Sequence, residues 1–435
     1  MNKIKLTLVV CILLLGLFLR LNNYDAYPQR GATSDEYAFA FLGISLIKEQ
    51  KPIAWSAIPL YKDRFDLTVD KLYFPIVKPY LDHPPLFGLL VGGWSLLFGQ
   101  DSFAKIQLQT IRLIPIILSV FSSYFVFLIG RRLYGFKEGI WALLIYETAT
   151  VFAINSRVVL AESLLTPFLL LAVFLYVMFY KKISTKTVIF LGIISGLAFL
   201  SKVLGIVVFL SVVSFLIADK VKIKKILLLS SITGLFICAF IIYGLYFGGE
   251  LFWQIQQYQS LRSLGPETLL TIISSPIIIN KVFYDGWYFW GLFSLFFSFS
   301  DYKKNKFIIL PSIIYLVLLM ASVNKTDIHG WYMIPLFPFM ALSSASVLGT
   351  VFKKNNWLLP VFSLLVGIWE IKYLYEIPFG LTPFVFRFFL STFIGLPILL
   401  SLFKRKKSYN ILCNTLFYLF IFGSILITFL YKHPA

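Results

Sequence analysis

Eight side chains able to take a proton or hold an anion stand between the long apolar runs of this chain: Asp35, Glu36, Asp82, His83, Arg157, Glu162, Lys202 and His329. A carboxylate within hydrogen-bond reach of a hydroxyl can act as its base. Ammonium, guanidinium and imidazole groups stabilise an anion as it departs. Such a mixture suits a site where a negatively charged group leaves. The spacing adds local structure. Ser34 followed by two acids reads as a helix start, with Asp35 and Glu36 in the first turn. Asp82-His83 runs into Pro84-Pro85, which forces an extended entry and a rigid start to the next run. Arg157 and Glu162 are near neighbours across a tight hairpin, and Lys202 sits at a turn. Histidine is scarce, at 83, 329 and 433 only. One charged residue in a loop costs nothing and usually does nothing. The signal is that all eight are predicted to fall on one side of a membrane.

The elements that must position them are set by composition. Of 435 residues 59% are hydrophobic and 14% charged. The mean hydropathy is +0.84. These values exclude a soluble enzyme, a disordered chain and a disulfide scaffold. The net charge of +19 is spread thinly between apolar runs, unlike the clustered cations of a nucleic-acid binder. A spanning helix needs about 20 mainly apolar residues. The runs 4–21, 111–130, 139–155, 162–180, 187–200, 203–218, 226–247, 283–300, 307–322, 331–350, 357–375, 384–402 and 410–431 qualify, and 86–98 reads as interfacial. Lys3 and Lys5, Arg131-Arg132, Lys181-Lys182, Lys220 to Lys225, Lys303-Lys304, Lys353-Lys354 and Lys404 to Lys407 mark cytoplasmic loops. The reading is thirteen spans, N-terminus inside and C-terminus outside, in a plasma (inner) membrane. Residues 1–435 form one membrane domain, with outer loops at 22–110 and 248–282 and no soluble C-terminal domain expected. A helix lying in the interface is expected over Tyr37–Ile47. The first run lacks a cleavage pattern and reads as an uncleaved span. Cys11, Cys238 and Cys413 all fall in spans, so disulfides play no part.

At Asp35-Glu36 and Asp82-His83-Pro84-Pro85 the chain resembles the GT-C glycosyltransferases that use polyprenyl-phosphate sugars, in particular the protein O-mannosyltransferase and aminoarabinose-transferase group. Arg157 with Glu162, Lys202 after Gly196-Leu197, and Tyr332 with Pro335 and Pro338 continue the pattern, which covers about residues 1–345. The resemblance implies an all-α polytopic membrane protein, a GT-C-like bundle of about thirteen transmembrane helices with juxtamembrane helices in the first outer loop. It implies inverting transfer of a sugar from a lipid-phosphate donor to a hydroxyl of a protein, lipid or glycan at the outer face. Asp35 is then the candidate base, with Glu36 positioning the acceptor or supporting the loop. His83, Lys202, Tyr332 and Arg262 are candidates to meet the donor phosphate. Arg157 and Glu162 would form a structural ion pair lining the cavity, with His329 in support. Some members bind a divalent ion through the acid before the Pro-Pro, here Asp82. Their second ligand is a His in a later loop, where this chain reads Trp253-Gln254-Ile255-Gln256-Gln257, with no His, so that His329 is the candidate to substitute for it. Glu147, in mid-span, reads equally as a cavity acid or a hydrogen-bonded bundle residue.

Two other classes compete. A lipid-linked-sugar flippase would show internal repeats and helices broken near the midplane, and no repeat is visible. A polymerase or ligase of lipid-linked glycans would carry its large Arg-bearing loop late in the chain, whereas here the first outer loop is the large one.

Overall fold

Inside a bilayer every backbone polar group must be satisfied within its own segment or closed sheet. The apolar runs accordingly become helices. The computed structural model describes residues 2–69, 71–261, 265–324, 327–352, 358–376, 382–402 and 406–432. After α1 (Lys3–Leu21), the first loop contains α2 (Asp35–Glu49), strands β1 (Ala54–Trp55), β2 (Arg64–Val69) and β3 (Leu72–Val77), then α3 (Leu86–Leu97) and the short α4 (Leu108–Ile111). The bundle continues with α5 (Leu113–Leu133), α6 (Phe136–Thr148), α7 (Thr150–Asn155), α8 (Glu162–Phe179), α9 (Thr185–Ser201), α10 (Ile206–Ala218) and α11 (Ile223–Gly248). The second large loop holds α12 (Glu250–Ser260), α13 (Glu267–Ser274) and the hairpin β4 (Ile277–Ile278) to β5 (Lys281–Val282). Then come α14 (Gly286–Phe297), α15 (Tyr302–Met320), α16 (Phe337–Val351), α17 (Leu358–Glu376), α18 (Pro383–Leu402) and α19 (Lys406–Leu430).

Among the described residues, five helical stretches are long and apolar enough to cross a membrane: Lys3–Leu21, Leu108–Leu133, Glu162–Lys182, Ile223–Gly248 and Tyr409–Leu430. Others are shorter than the sequence runs. The run 139–155 breaks at Ala149, whose extended backbone (ψ 123°) ends α6 and starts α7. The Asp285 carboxylate accepts the Val151 N–H of α7 at 2.9 Å and the Trp287 N–H of α14 at 2.8 Å. One buried acid thus caps two helix starts. The run 331–350 becomes helical only from Phe337; residues 330–333 form a tight 3-10 turn. The expected turn at Ser201-Lys202 is present, joining α9 to α10.

The first loop is more built than the sequence suggested. β3 is the centre of an antiparallel sheet of order β1-β3-β2, with Ala54 opposite Val77 and Phe65 opposite Ile76. Nor does α2 lie on the surface with one face covered: Tyr37, Phe39, Ala40, Leu42 and Ile44 are all buried. It crosses α3 at backbone contact. A Cβ on Gly92 would stand 2.3 Å from the Gly43 carbonyl carbon, so only glycine permits this approach. The end of α7 is fixed to the later hairpin. The Asn155 amide donates to Ile277 O and accepts from Ile279 N, each at 2.9 Å.

Candidate active site

Asp35 is the first residue of α2. Its N–H is capped by the Thr33 hydroxyl at 3.2 Å, while Ser34 makes no side-chain cap bond. Glu36, one residue on, turns the other way. Its carboxylate takes both Nε (2.8 Å) and Nη2 (2.7 Å) of Arg112, and also the Val159 N–H at 3.2 Å. Glu36 and Arg112 are fully buried. Arg112 in turn donates to Tyr24 O and Pro28 O. Glu36 therefore joins α2, the start of α5 and the turn after α7. It does not line the cavity.

Asp82 closes the other wall. Its two oxygens accept from Ser56 Oγ at 2.6 Å and Tyr61 Oη at 2.5 Å, and Tyr61 Oη accepts from Leu81 N at 2.9 Å. Burial, then the Asp82 charge, push the Tyr61 phenol far above its ordinary value, so it stays a donor. Tyr80 is buried beside both acids. Burial, then Asp82 and Asp35, raise its phenol in the same way. The His83 ring stacks on Phe39 at 5.6 Å.

The third wall comes from α8 to α10. Lys202 Nζ forms an ion pair with Glu162, which begins α8, and lies 4.7 Å over the Tyr332 ring. Burial disfavours its charge. Glu162, Tyr332 and more distantly Asp35 outweigh that, so the ammonium pKa is raised and the group stays charged.

Asp35, Asp82, His83, Lys202 and Tyr332 line one cavity of about 430 Å³, together with Trp55, Tyr80, Gln256, Gln259 and Ser322. Residues far apart in sequence, from Asp35 to Tyr332, thus converge. Other expectations are corrected. Arg157 does not pair with Glu162. It is buried and donates to Leu19 O (2.6 Å) and Tyr27 O (3.3 Å), anchoring the end of α1. Glu162 instead pairs with Lys202. His329 stacks on Trp331 at 4.3 Å and is not among the cavity's lining residues. Arg262 lies outside the described residues. Glu147 forms a fully buried ion pair with Arg20, away from the cavity. Both Asp82 oxygens accept from hydroxyl donors, and among the described residues no three His, Cys, Asp or Glu side chains gather as a protein-only metal site would need. Ser56, Tyr61 and Arg112 were not singled out from sequence; the only signal for Gln259 was its spacing of three from Gln256 on an amphipathic helix.

Three solved structures share this architecture over nearly the whole chain. The archaeal oligosaccharyltransferase AglB from Archaeoglobus fulgidus, in complex with an inhibitory peptide and a dolichol-phosphate, aligns over 100% of this chain and 56% of its own (TM-score 0.54, 13% identity). ArnT from Cupriavidus metallidurans, bound to undecaprenyl phosphate, aligns over 99% and 78% (TM-score 0.57, 13% identity). Arabinosyltransferase EmbB from Mycobacterium smegmatis aligns over 99% and 40% (TM-score 0.60, 11% identity). The chain has the GT-C fold. The sequence profile of the dolichyl-phosphate-mannose-protein mannosyltransferase family matches residues 82–243, from the cavity acid Asp82 into α11. No curated protein sequence matches the chain. This GT-C chain spans about half the length of AglB and less of EmbB.

Proposed function

We propose that the protein is an inverting glycosyltransferase that takes a sugar from a polyprenyl-phosphate donor and places it on a hydroxyl of a protein, lipid or glycan. The observation that carries this reading is the meeting of Asp35, Asp82, His83, Lys202 and Tyr332 in one cavity. The family profile over residues 82–243 and the lipid phosphates bound by the fold neighbours support it. In the reaction the acceptor oxygen attacks the anomeric carbon. Its proton passes to the Asp35 carboxylate, and the bond from that carbon to the phosphate oxygen breaks on the opposite side. The electron pair leaves with the lipid phosphate. Lys202, kept charged by Glu162, and the His83 ring stand on the walls where that charge is received. Tyr332 orients Lys202 from below through its ring face. Glu36 acts through Arg112 as a support of the helix that presents Asp35. The lysine-rich short loops support a reading with this cavity on the outer side of a plasma membrane.

The test uses purified full-length protein with a polyprenyl-phosphate sugar. Asp35→Asn lowers transfer by about 10²–10⁴-fold with donor binding retained, as loss of a general base does. Transfer unchanged in Asp35→Asn would remove Asp35 as base. Lipid scrambling without any transfer by the wild type would replace the enzyme with a flippase.

A further inference from the structure

Helix α12 leaves α11 through Gly249, whose backbone (φ 49°, ψ −116°) suits glycine. It then lies across the cavity wall. Phe252, Ile255, Gln256 and Gln259 stand at i, i+3, i+4 and i+7, which is one helix face. Phe252 and Ile255 are buried in the same apolar cluster as Leu81 and Tyr80. On that face the two amides reach consecutive carbonyls. Gln256 Nε2 donates to Leu81 O at 3.1 Å, and Gln259 Nε2 to Asp82 O at 3.0 Å. Asp82 is thus held at both ends: its carboxylate by Ser56 and Tyr61 of the first loop, its carbonyl by α12. Every one of these donors is neutral.

We infer that Gln256 and Gln259 are positioning residues that latch α12 onto the Leu81–Asp82 backbone and so hold Asp82 and His83 in the donor cavity, a latch made of neutral amides that needs no divalent ion to join this loop to that wall. The inference rests on the donor-binding reading of the cavity. Its geometry is specific. Two amides three residues apart meet two successive carbonyls, which places the His83 segment relative to α12 without any ligand of high charge. Gln256, Gln259 and Ser260 also line the cavity, so the latch and the substrate wall are one surface.

The experiment compares the full-length wild type with Gln256→Glu/Gln259→Glu, which keeps shape but offers only acceptors to the carbonyls, and Gln256→Lys/Gln259→Lys, which keeps donors. Two readouts are taken in detergent: hydrogen exchange of the amides at 80–83, and binding of undecaprenyl phosphate. The amides of Tyr80 and Leu81 are bonded to Pro52 O and Tyr61 Oη, so they report the segment directly. In the glutamate variant these amides exchange about tenfold faster, and undecaprenyl phosphate affinity falls about tenfold. The lysine variant stays within about threefold of wild type on both. Stripping the wild type with EDTA leaves affinity within about twofold. Unchanged exchange at 80–83, equal loss in both variants, or an EDTA loss restored by zinc or magnesium would overturn the latch. Faster exchange with unaltered affinity would overturn its positioning role. A wild type whose exchange responds as stated but which binds no undecaprenyl phosphate would overturn the donor reading instead.

Discussion

Glu36 stands beside the candidate base in sequence and behind it in space, so its replacement separates support from chemistry. In Glu36→Gln, Arg112 keeps its bonds to Tyr24 O and Pro28 O and one bond to the amide oxygen, but loses the second acceptor and the negative charge opposite it. The pair is fully buried. Leaving one buried charge without its partner costs about 3–5 kcal/mol, whereas replacing both partners with apolar groups of similar volume is close to neutral. The Val159 N–H, which Glu36 also accepts, adds about 1 kcal/mol if the new amide presents its nitrogen there. Glu36→Gln and Arg112→Met should each lower the free energy of unfolding by about 3–5 kcal/mol, and Glu36→Leu/Arg112→Met together by less than about 2. The measurement is a double-mutant cycle by denaturant titration in mixed micelles, with transfer assayed on the folded fraction. Folded Glu36→Gln should retain transfer within about tenfold, because its carboxylate does not line the cavity. A stability loss under about 1 kcal/mol combined with loss of transfer as deep as that of Asp35→Asn would refute this reasoning and make Glu36 a participant in the reaction.

Lys202→Met leaves Glu162 buried and unpaired, so stability falls by about 3–5 kcal/mol and undecaprenyl phosphate binding weakens; Lys202→Met/Glu162→Met should restore most of the stability but not the binding, as read by thermal denaturation and ligand titration. Burial lowers the His329 pKa, with Asp327 opposing. The unfolded chain therefore takes up this proton first as pH falls below about 6.5. His329 then costs stability between its ordinary value and its lowered one, and His329→Phe should flatten the loss of melting temperature on going from pH 7 to pH 5; an identical pH profile would count against it. Gly92→Ala places a methyl 2.3 Å from backbone atoms of α2, so α2 and α3 must separate, and a loss of about 1–3 kcal/mol is expected by the same denaturation assay.

The bundle was legible because run length and apolarity are what a bilayer demands. The cavity was partly legible because polar residues at membrane level have few reasons to be there. Partners were not. Arg157 and Glu162 are close in sequence, but Glu162 opens α8 and meets Lys202 forty residues on, while Arg157 points back to the end of α1. Nothing in spacing pairs Arg20 with Glu147. Such pairs are fixed by how helices cross, and one chain's periodicity does not contain the crossing. The sheet of the first loop was also missed, although Arg64–Val69 alternates polar and apolar residues; all of β2 is exposed or partly exposed, so the pattern carries little hydrophobic contrast.

Asn155 has a consequence for recombining parts of this protein. Its amide occupies the place of a strand beside Ile277 and Ile279, and Gly330 packs against that same edge, with its N–H bonded to Ile279 O at 3.0 Å. The hairpin is therefore a shared mortise between the early and late halves of the chain. A chimaera that imports the 275–282 segment from a relative inherits only one face of that joint. Exchanging the hairpin together with residues 155 and 330 is the smallest graft that carries its own fastening.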